Sequence, residues 1–223
     1  MKTVFVAMYL LFTGTLFGQS FTYPEFRKSY KTVNEIAPTD WTLLNYTKGD
    51  LNGDKLNDLV AVLEYKKPVA ENRPYYPAVG TKPRILLIFF KTANGIYNLK
   101  LQHNTFLFRD NEDMRPEVFP DLKIRNGVFS LHYDLFHDYP TYKFRFQKGD
   151  FYLIGATISG IHGGNYSEND INLSTGEFHK TSYYIDDEKN VKKESFRLKN
   201  LKPIKFTEFK MPLTYKISED YTL

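Results

Sequence analysis

Hydrophobic and polar residues alternate along most of this chain with a period of two, which is the pattern of half-buried β-strands. Residues 128–136 and 141–146 show it most clearly. Residues 84–91 are instead apolar on both faces, which is typical of a central strand that is covered on each side. Helical periodicity is almost absent. The pattern therefore predicts a mainly β fold, an antiparallel meander that forms a sandwich or an open barrel.

Glycine-containing turns divide these strands at regular intervals. Asn94-Gly95, Asn126-Gly127, Lys148-Gly149 and Ser174-Thr175-Gly176 each lie between two strand-like segments. Such dipeptides favour the tight turns of β-hairpins, since glycine adopts positive φ without steric strain. We therefore expect four hairpins at these positions.

Two segments depart from the strand pattern. Residues 25–36 predict a short N-terminal helix, which ends before Ala37-Pro38 because a residue that precedes proline disfavours the helical region. Residues 66–83 contain four prolines and the adjacent Tyr75 and Tyr76. They predict a long loop, and long loops often carry binding residues.

The first twenty residues have the composition of a secretory signal peptide. Lys2 supplies a positive charge, residues 4–17 are uncharged and mostly apolar, and Gly18 and Ser20 suit the −3 and −1 positions of a cleavage site. We expect residues 1–20 to be a signal peptide, residues 21–223 to form a single β-rich domain, and the protein to be periplasmic or secreted. The chain has no cysteine, which excludes thiol catalysis and cysteine-based zinc sites.

The candidate chemistry of the chain is concentrated in residues 50–58. Oxygen-bearing side chains occur at positions 1, 3, 5 and 9 of this loop, which are Asp50, Asn52, Asp54 and Asp58. Position 7 is Leu56, which offers its backbone carbonyl. Calcium prefers six to eight hard oxygen ligands, and a tight loop directs alternate residues toward one centre. The spacing predicts that these five residues bind Ca²⁺. The alternative is a turn whose side chains cap their own backbone.

The loop is not an EF-hand, because Lys55 and Ala61 occupy the positions that require glycine and a bidentate carboxylate. The pattern Asp-x-Asn-x-Asp-x-x-x-Asp-Leu, followed by an apolar strand, resembles the FG-GAP and VCBS-type calcium repeats of integrin-like propellers. Those repeats usually carry glycine where this chain has Lys55. The loop occurs once, whereas a propeller needs several copies.

The chain also resembles a family of small exported bacterial proteins of unknown function. The resemblance rests on short motifs: Pro38-x-x-Trp41, the loop itself, the apolar residues 85–90, the turn Asn126-Gly127-Val128, Tyr142-x-Phe144-x-Phe146, residues 151–155 and Ser174-Thr175-Gly176. It implies a location in the cell envelope and a β-rich fold. It implies no substrate.

Charge is concentrated near the C-terminus. Residues 189–210 contain eight basic and two acidic residues, whereas the whole chain has a net charge of only +4. The pattern of residues 191–199 predicts a strand with Lys193, Arg197 and Lys199 on one face. One interpretation of this face is an anion-contacting stripe. The alternative, which we favour, is a solvated edge strand protected by its lysines. The small net charge argues against nucleic acid as a partner.

No catalytic constellation is evident, so an enzyme is not the favoured interpretation. Ser130, His132 and Asp134 share one face of a predicted strand, but neighbouring same-face residues are about 6.5–7 Å apart, too far for a nucleophile and its base. The sequence favours an exported, non-enzymatic structural or interaction module stabilised by one calcium ion. The alternative is a module that binds envelope or host glycans through loop tyrosines, whose amphipathic rings suit sugar faces; the candidates are Tyr75, Tyr76, Tyr139 and Tyr142.

Overall fold

The protein is mainly β, as the hydrophobic pattern predicts. The structure, a computed structural model, describes residues 21–74, 80–109, 119–187 and 189–223. Its paired strands are antiparallel and lie in a five-stranded sheet, an eight-stranded sheet and a small two-stranded hairpin. In these described ranges, no helix has the length and apolar character needed to cross a membrane.

The five-stranded sheet contains the strands on either side of the candidate calcium loop. Numbered in chain order, its strands are β1 (Ser29–Tyr30), β2 (Trp41–Gly49), β3 (Asp58–Tyr65), β6 (Arg84–Lys91) and β7 (Tyr97–His103). Their spatial order is β1-β7-β6-β3-β2, so β2 lies at one edge. The hairpin of β4 (Val69–Ala70) and β5 (Gly80–Thr81) belongs to the segment that was expected to be a long loop.

The eight-stranded sheet is a curved meander, part of a half-barrel. Seven strands follow each other in sequence and in space, and β15 pairs with the start of β11. The bounds are β8 (Asp121–Arg125), β9 (Val128–His132), β10 (Asp138–Gln147), β11 (Asp150–His162), β12 (Asn165–Asn172), β13 (Glu177–Tyr184), β14 (Lys192–Arg197) and β15 (Ile204–Lys205).

The predicted hairpins are confirmed. Asn126 and Gly127 have φ values of 52° and 70°, and Lys148 and Gly149 have 51° and 80°. Two consecutive positive φ values match the right-handed twist of the flanking strands, which is why such turns join β8 to β9 and β10 to β11. The turns at Gly95 and Gly176 likewise connect β6 to β7 and β12 to β13.

The main core lies between the two large sheets. Val60, Val62, Leu86 and Ile88 face it from the five-stranded sheet because alternate residues of a strand point to the same face. Aromatic side chains fill most of the remainder, and those that are fully buried include Phe106, Phe129, Tyr142, Phe144, Phe151, Phe178, Phe206 and Phe209. This core thus explains part of the abundance of aromatic residues in the sequence.

The opposite face of the five-stranded sheet is also covered. Ile85, Leu87 and Phe89 of β6 form a second buried cluster with Trp41 and Tyr30 from the N-terminal part of the described chain. The prediction of a central strand that is buried on both faces is confirmed for β6.

The predicted helix at residues 25–36 is wrong. That segment forms β1 and a single 3-10 turn, Val33–Glu35, and Thr32 between them is extended. Tyr30 pairs with Tyr97 at the edge of the sheet and its ring packs edge-on against Phe89 at 5.6 Å. Burial of this ring and pairing with an open sheet edge outweigh a weak helical preference.

Candidate functional site

The segment that joins β2 to β3 is a tight loop in which side-chain oxygens accept hydrogen bonds from backbone amides. Asp50 holds its first half: Oδ1 accepts from the amide of Gly53 at 2.7 Å and of Asn52 at 3.2 Å, and Oδ2 accepts from the amide of Lys55 at 2.8 Å. One carboxylate thus accepts hydrogen bonds from three backbone amides of the loop.

The next two candidate ligands repeat this arrangement at two-residue steps. Asn52 Oδ1 accepts from the amide of Asp54 at 3.0 Å, and Asp54 Oδ1 accepts from the amide of Leu56 at 2.8 Å. Asn52 Nδ2 also donates to Asp54 Oδ2 at 3.0 Å. The Leu56 carbonyl accepts from the amide of Asp58 at 3.1 Å. These short-range bonds are characteristic of Asn and Asp in turns.

Two residues of the loop adopt the left-handed conformation. Gly53 has a φ of 85° and Lys55 a φ of 68°. For a residue with a side chain this conformation costs roughly 1–2 kcal/mol, whereas glycine adopts it freely. The backbone therefore makes, at Lys55, a turn that glycine would form without this cost.

Asp58 closes the loop and is the most buried of its candidate ligands. Its side chain, with 0 % exposure, accepts from the amide of Leu51 at 2.9 Å and from the amide of Lys91 at 2.9 Å. Asp58 thus connects the loop to the end of β6. Burial raises the pKa of its carboxyl group, and the negative charges of Asp54 and Asp50 raise it further against the two hydrogen bonds.

The pKa of Asp50 moves the other way. Desolvation raises it, but the combined hydrogen bonds from the amides of Lys55, Gly53, Asn52 and Asp54 prevail and hold the pKa below its usual value. Asp50 is therefore ionised throughout the physiological range, as a calcium ligand must be.

The candidate ligands of the loop offer oxygen atoms, the type of ligand atom that calcium prefers. An ionised carboxylate has about four lone-pair sites, so an oxygen that accepts one hydrogen bond retains capacity for a cation. In the described part of the chain, however, no three His, Asp or Glu side chains are arranged as a metal-binding group. As they stand here, the loop carboxylates are directed mainly toward backbone amides.

The candidate glycan-binding tyrosines do not form one group. Tyr142 lies in β10 with 0 % exposure, and its hydroxyl accepts a hydrogen bond from the amide of Leu213 at 3.1 Å. It is a core residue that no glycan reaches, because the strand alternation directs it inward. Tyr139 is half-buried, on the opposite face of β10. Tyr75 and Tyr76 lie outside the described residues.

Two of the three candidate anion-contacting residues, Lys193 and Arg197, lie on β14, the outermost strand of the eight-stranded sheet, whereas Lys199 lies beyond the end of that strand. β14 is exposed along its whole length, and Lys193, Arg197 and Lys199 are all exposed. Arg197 Nη2 lies 3.7 Å from Glu177 Oε1 on the neighbouring strand. Edge position and exposure agree with the interpretation of a solvated, lysine-protected edge.

Two kinds of residue escaped the sequence analysis. One is a set of buried charges beside the core, in which Arg84 pairs with Glu64 and Arg109 with Glu71, each at 2.7 Å. The other is the outer face of β12 and β13, where the rings of Tyr166 and Tyr183 are in contact, with centroids 4.8 Å apart and planes inclined at 33°. The alternation of Tyr166, Glu168 and Asp170 in the sequence indicates this outer face. The two ion pairs join residues that are far apart in the sequence, so no local pattern predicts them.

Comparison with known proteins adds no constraint. No protein-family description, no curated protein and no solved structure matches this chain.

Proposed function

We propose that this chain is an exported, non-enzymatic structural or interaction module, periplasmic or secreted, whose loop of residues 50–58 binds one calcium ion. The observation that carries the proposal is the coincidence of alternating oxygen ligands with a left-handed Lys55. Asp50, Asn52 and Asp54 follow one another at two-residue steps, and the backbone turns after them as a calcium loop requires.

The residues that would hold the ion are the five candidate ligands of the loop: Asp50, Asn52, Asp54, the carbonyl of Leu56, and Asp58. Calcium supplies two positive charges to a segment that gathers three carboxylates. The negative charges of Asp54 and Asp50 already disfavour ionisation of Asp58, and a bound cation would remove that repulsion. Binding would therefore stabilise the corner between β2 and β3.

The size of the effect follows from mass action. An ion that binds only the folded state stabilises it by RT ln(1 + [L]/Kd), which is about 1.4 kcal/mol for roughly 1 mM calcium and a Kd of about 0.1 mM. Extracellular calcium modules commonly bind at about 10⁻⁴–10⁻³ M. For a domain of this length, that free energy corresponds to an increase in Tm of roughly 3–6 °C.

Thermal unfolding with calcium and with EDTA tests the proposal. We expect calcium to raise the Tm of the wild type and of Asp186→Ala, which removes an exposed acid outside the loop. Asp54→Ala should abolish the increase while changing the Tm in EDTA little, since the Asp54 side chain is exposed. Equal midpoints with calcium and EDTA, without calcium heat in calorimetry, would mean that the carboxylates only cap the turn.

Glycan binding is the second candidate function, and one observation favours it. Tyr139 lies on the outer face of the eight-stranded sheet, where the cross-strand register leads from it through Ser159 to Glu168, the residue that the Tyr166 hydroxyl contacts. Tyr142 has no part in this proposal because it is buried.

A further inference from the structure

The outer face of the eight-stranded sheet carries a row of polar side chains that crosses five strands. The register aligns Tyr139, Ser159, Glu168, Thr181 and Lys193. Each is exposed or half-buried. At about 4.8 Å between neighbouring strands, the row is about 19 Å long. It therefore offers room for an oligosaccharide and not only for a single sugar ring.

A pair of tyrosines stands beside this row. Tyr166 and Tyr183 are directly opposite each other on β12 and β13, both half-buried, with rings inclined at 33°. The Tyr166 hydroxyl donates to Glu168 Oε2 at 2.9 Å. This bond fixes the Tyr166 ring and orients the carboxylate of Glu168. Rigid aromatic rings beside an oriented acceptor provide both a surface for the apolar face of a sugar and a partner for its hydroxyls.

Two ion pairs join different strands on this face. Lys143 Nζ lies 3.4 Å from Asp170 Oδ1, and Arg197 pairs with Glu177. Thr157 donates to the same Asp170 oxygen at 2.6 Å. A face on which cations are matched by acids and interspersed with hydroxyl groups suits a neutral ligand rich in hydroxyls better than a polyanion, which would meet Glu168, Asp170 and Glu177 with repulsion.

We propose that this outer face, centred on Tyr166, Tyr183 and Glu168, binds a neutral oligosaccharide. The inference rests on the proposal that the domain is an interaction module, and it is independent of calcium in the distant loop. The rings of Tyr166 and Tyr183 pack against the ligand, while Glu168, Ser159 and Thr181 exchange hydrogen bonds with its hydroxyl groups. The basic edge strand β14 lies at one end of the row and gives the site its boundary.

Binding to immobilised oligosaccharides tests the proposal on the purified protein, in calcium and in EDTA. The probes are neutral hexasaccharides of glucose, mannose and N-acetylglucosamine, with alginate and polygalacturonate as acidic counterparts. We expect at least one neutral probe to bind with an affinity that changes little up to about 0.5 M salt, since neutral ligands are not screened.

The variants are chosen to separate the two faces of one strand. Tyr183→Ala should weaken binding about tenfold, which corresponds to 1.4 kcal/mol, and Tyr183→Phe should retain most of it. Tyr184→Ala is the matched control, because Tyr184 is the neighbouring, exposed residue on the opposite face of β13. Glu168→Gln, which keeps the size of the side chain, should weaken binding several-fold.

Three outcomes would overturn the inference: no neutral probe binds, only acidic probes bind and salt releases them, or Tyr184→Ala weakens binding as much as Tyr183→Ala. A protein that gains Tm from calcium and binds no glycan refutes this inference alone. A protein that binds a neutral glycan equally in calcium and EDTA, without a calcium-dependent Tm, refutes the calcium proposal alone.

Discussion

Replacement of Asp58 by alanine should destabilise the protein strongly even without calcium. The Asp58 carboxylate is buried and accepts two backbone hydrogen bonds, from the amides of Leu51 and Lys91. Alanine leaves both amides without an acceptor. A buried donor that loses its partner costs about 1–3 kcal/mol, so the two together cost roughly 2–6 kcal/mol. A domain typically has about 5–15 kcal/mol of stability in all.

Asp58→Asn removes the charge and one of the two hydrogen-bond acceptors of Asp58. Asparagine keeps one acceptor oxygen and the size of the side chain, and it removes a charge that burial and the acids Asp54 and Asp50 disfavour. The Nδ2 group of asparagine cannot accept from the second amide, so Asp58→Asn should lose about 1–3 kcal/mol, roughly half of the loss of Asp58→Ala. The sign of the pH dependence follows from the raised pKa. The folded state binds this proton more tightly than the unfolded state, so the contribution of Asp58 to stability falls as pH rises from 3.8 through the folded pKa.

Urea unfolding in EDTA measures these losses. Trp41 is the only tryptophan and is the buried first residue of β2 in the five-stranded sheet, so its fluorescence reports unfolding of that sheet. We expect a lower midpoint with an unchanged slope, in the order wild type, Asp58→Asn, Asp58→Ala. If Asp58→Ala unfolds at the wild-type midpoint, the two amides find other acceptors and the role assigned to Asp58 is wrong.

Three further predictions concern other positions. Lys55→Gly should raise the free energy of unfolding by about 0.5–1 kcal/mol and preserve or tighten calcium affinity, because glycine adopts a φ of 68° without strain. The control is Lys148→Gly, at a φ of 51° outside the loop, which should give the gain in stability alone in the same urea and calorimetric assays. Gly49→Ala should cost about 1–3 kcal/mol, since its Cβ would lie 2.5 Å from Ile124 Cγ2, and Ile124→Ala in the same chain should restore part of the loss in urea unfolding. Burial lowers the pKa of His103 to about 4, so between pH 6.5 and pH 4 only the unfolded state gains a proton at this residue. The free energy of unfolding of the wild type should therefore decrease as the pH is lowered from 6.5 to 4. In urea titrations at each pH, His103→Gln should show a shallower decrease.

The sequence predicted the parts of the fold that depend on local pattern. The strand β6, apolar on both faces, and the turns at Gly127 and Gly149 are where alternation and glycine placed them. The predicted helix at residues 25–36 is wrong because Tyr30 pairs with Tyr97, at an open sheet edge formed by residues far along the chain. Local periodicity carries no information about that edge.

The same distinction separates the candidate sites. The candidate calcium loop is visible in the sequence because the residues proposed as its ligands are neighbours along the chain. The face around Tyr166 and Tyr183 is assembled from several strands, and the register that aligns them appears only in the folded sheet. Tyr142 was proposed as a glycan-binding residue for a related reason: alternation alone does not determine which face of β10 packs against the core, and Tyr142 is buried there.

The position of the loop explains how one ion could matter to the whole domain. β2 is the edge of the five-stranded sheet, and it contacts β8, the edge of the eight-stranded sheet. Asn45 Nδ2 donates to the carbonyl of Pro120 at 3.1 Å across this junction, and Gly49 packs directly against Ile124. Asp50 follows Gly49 at once, and Asp58 anchors the other end of the loop to the end of β6. A cation that tightened the loop would therefore hold β2 in place between its own sheet and the neighbouring one, and stabilisation would extend to the contact that joins the two halves of the core.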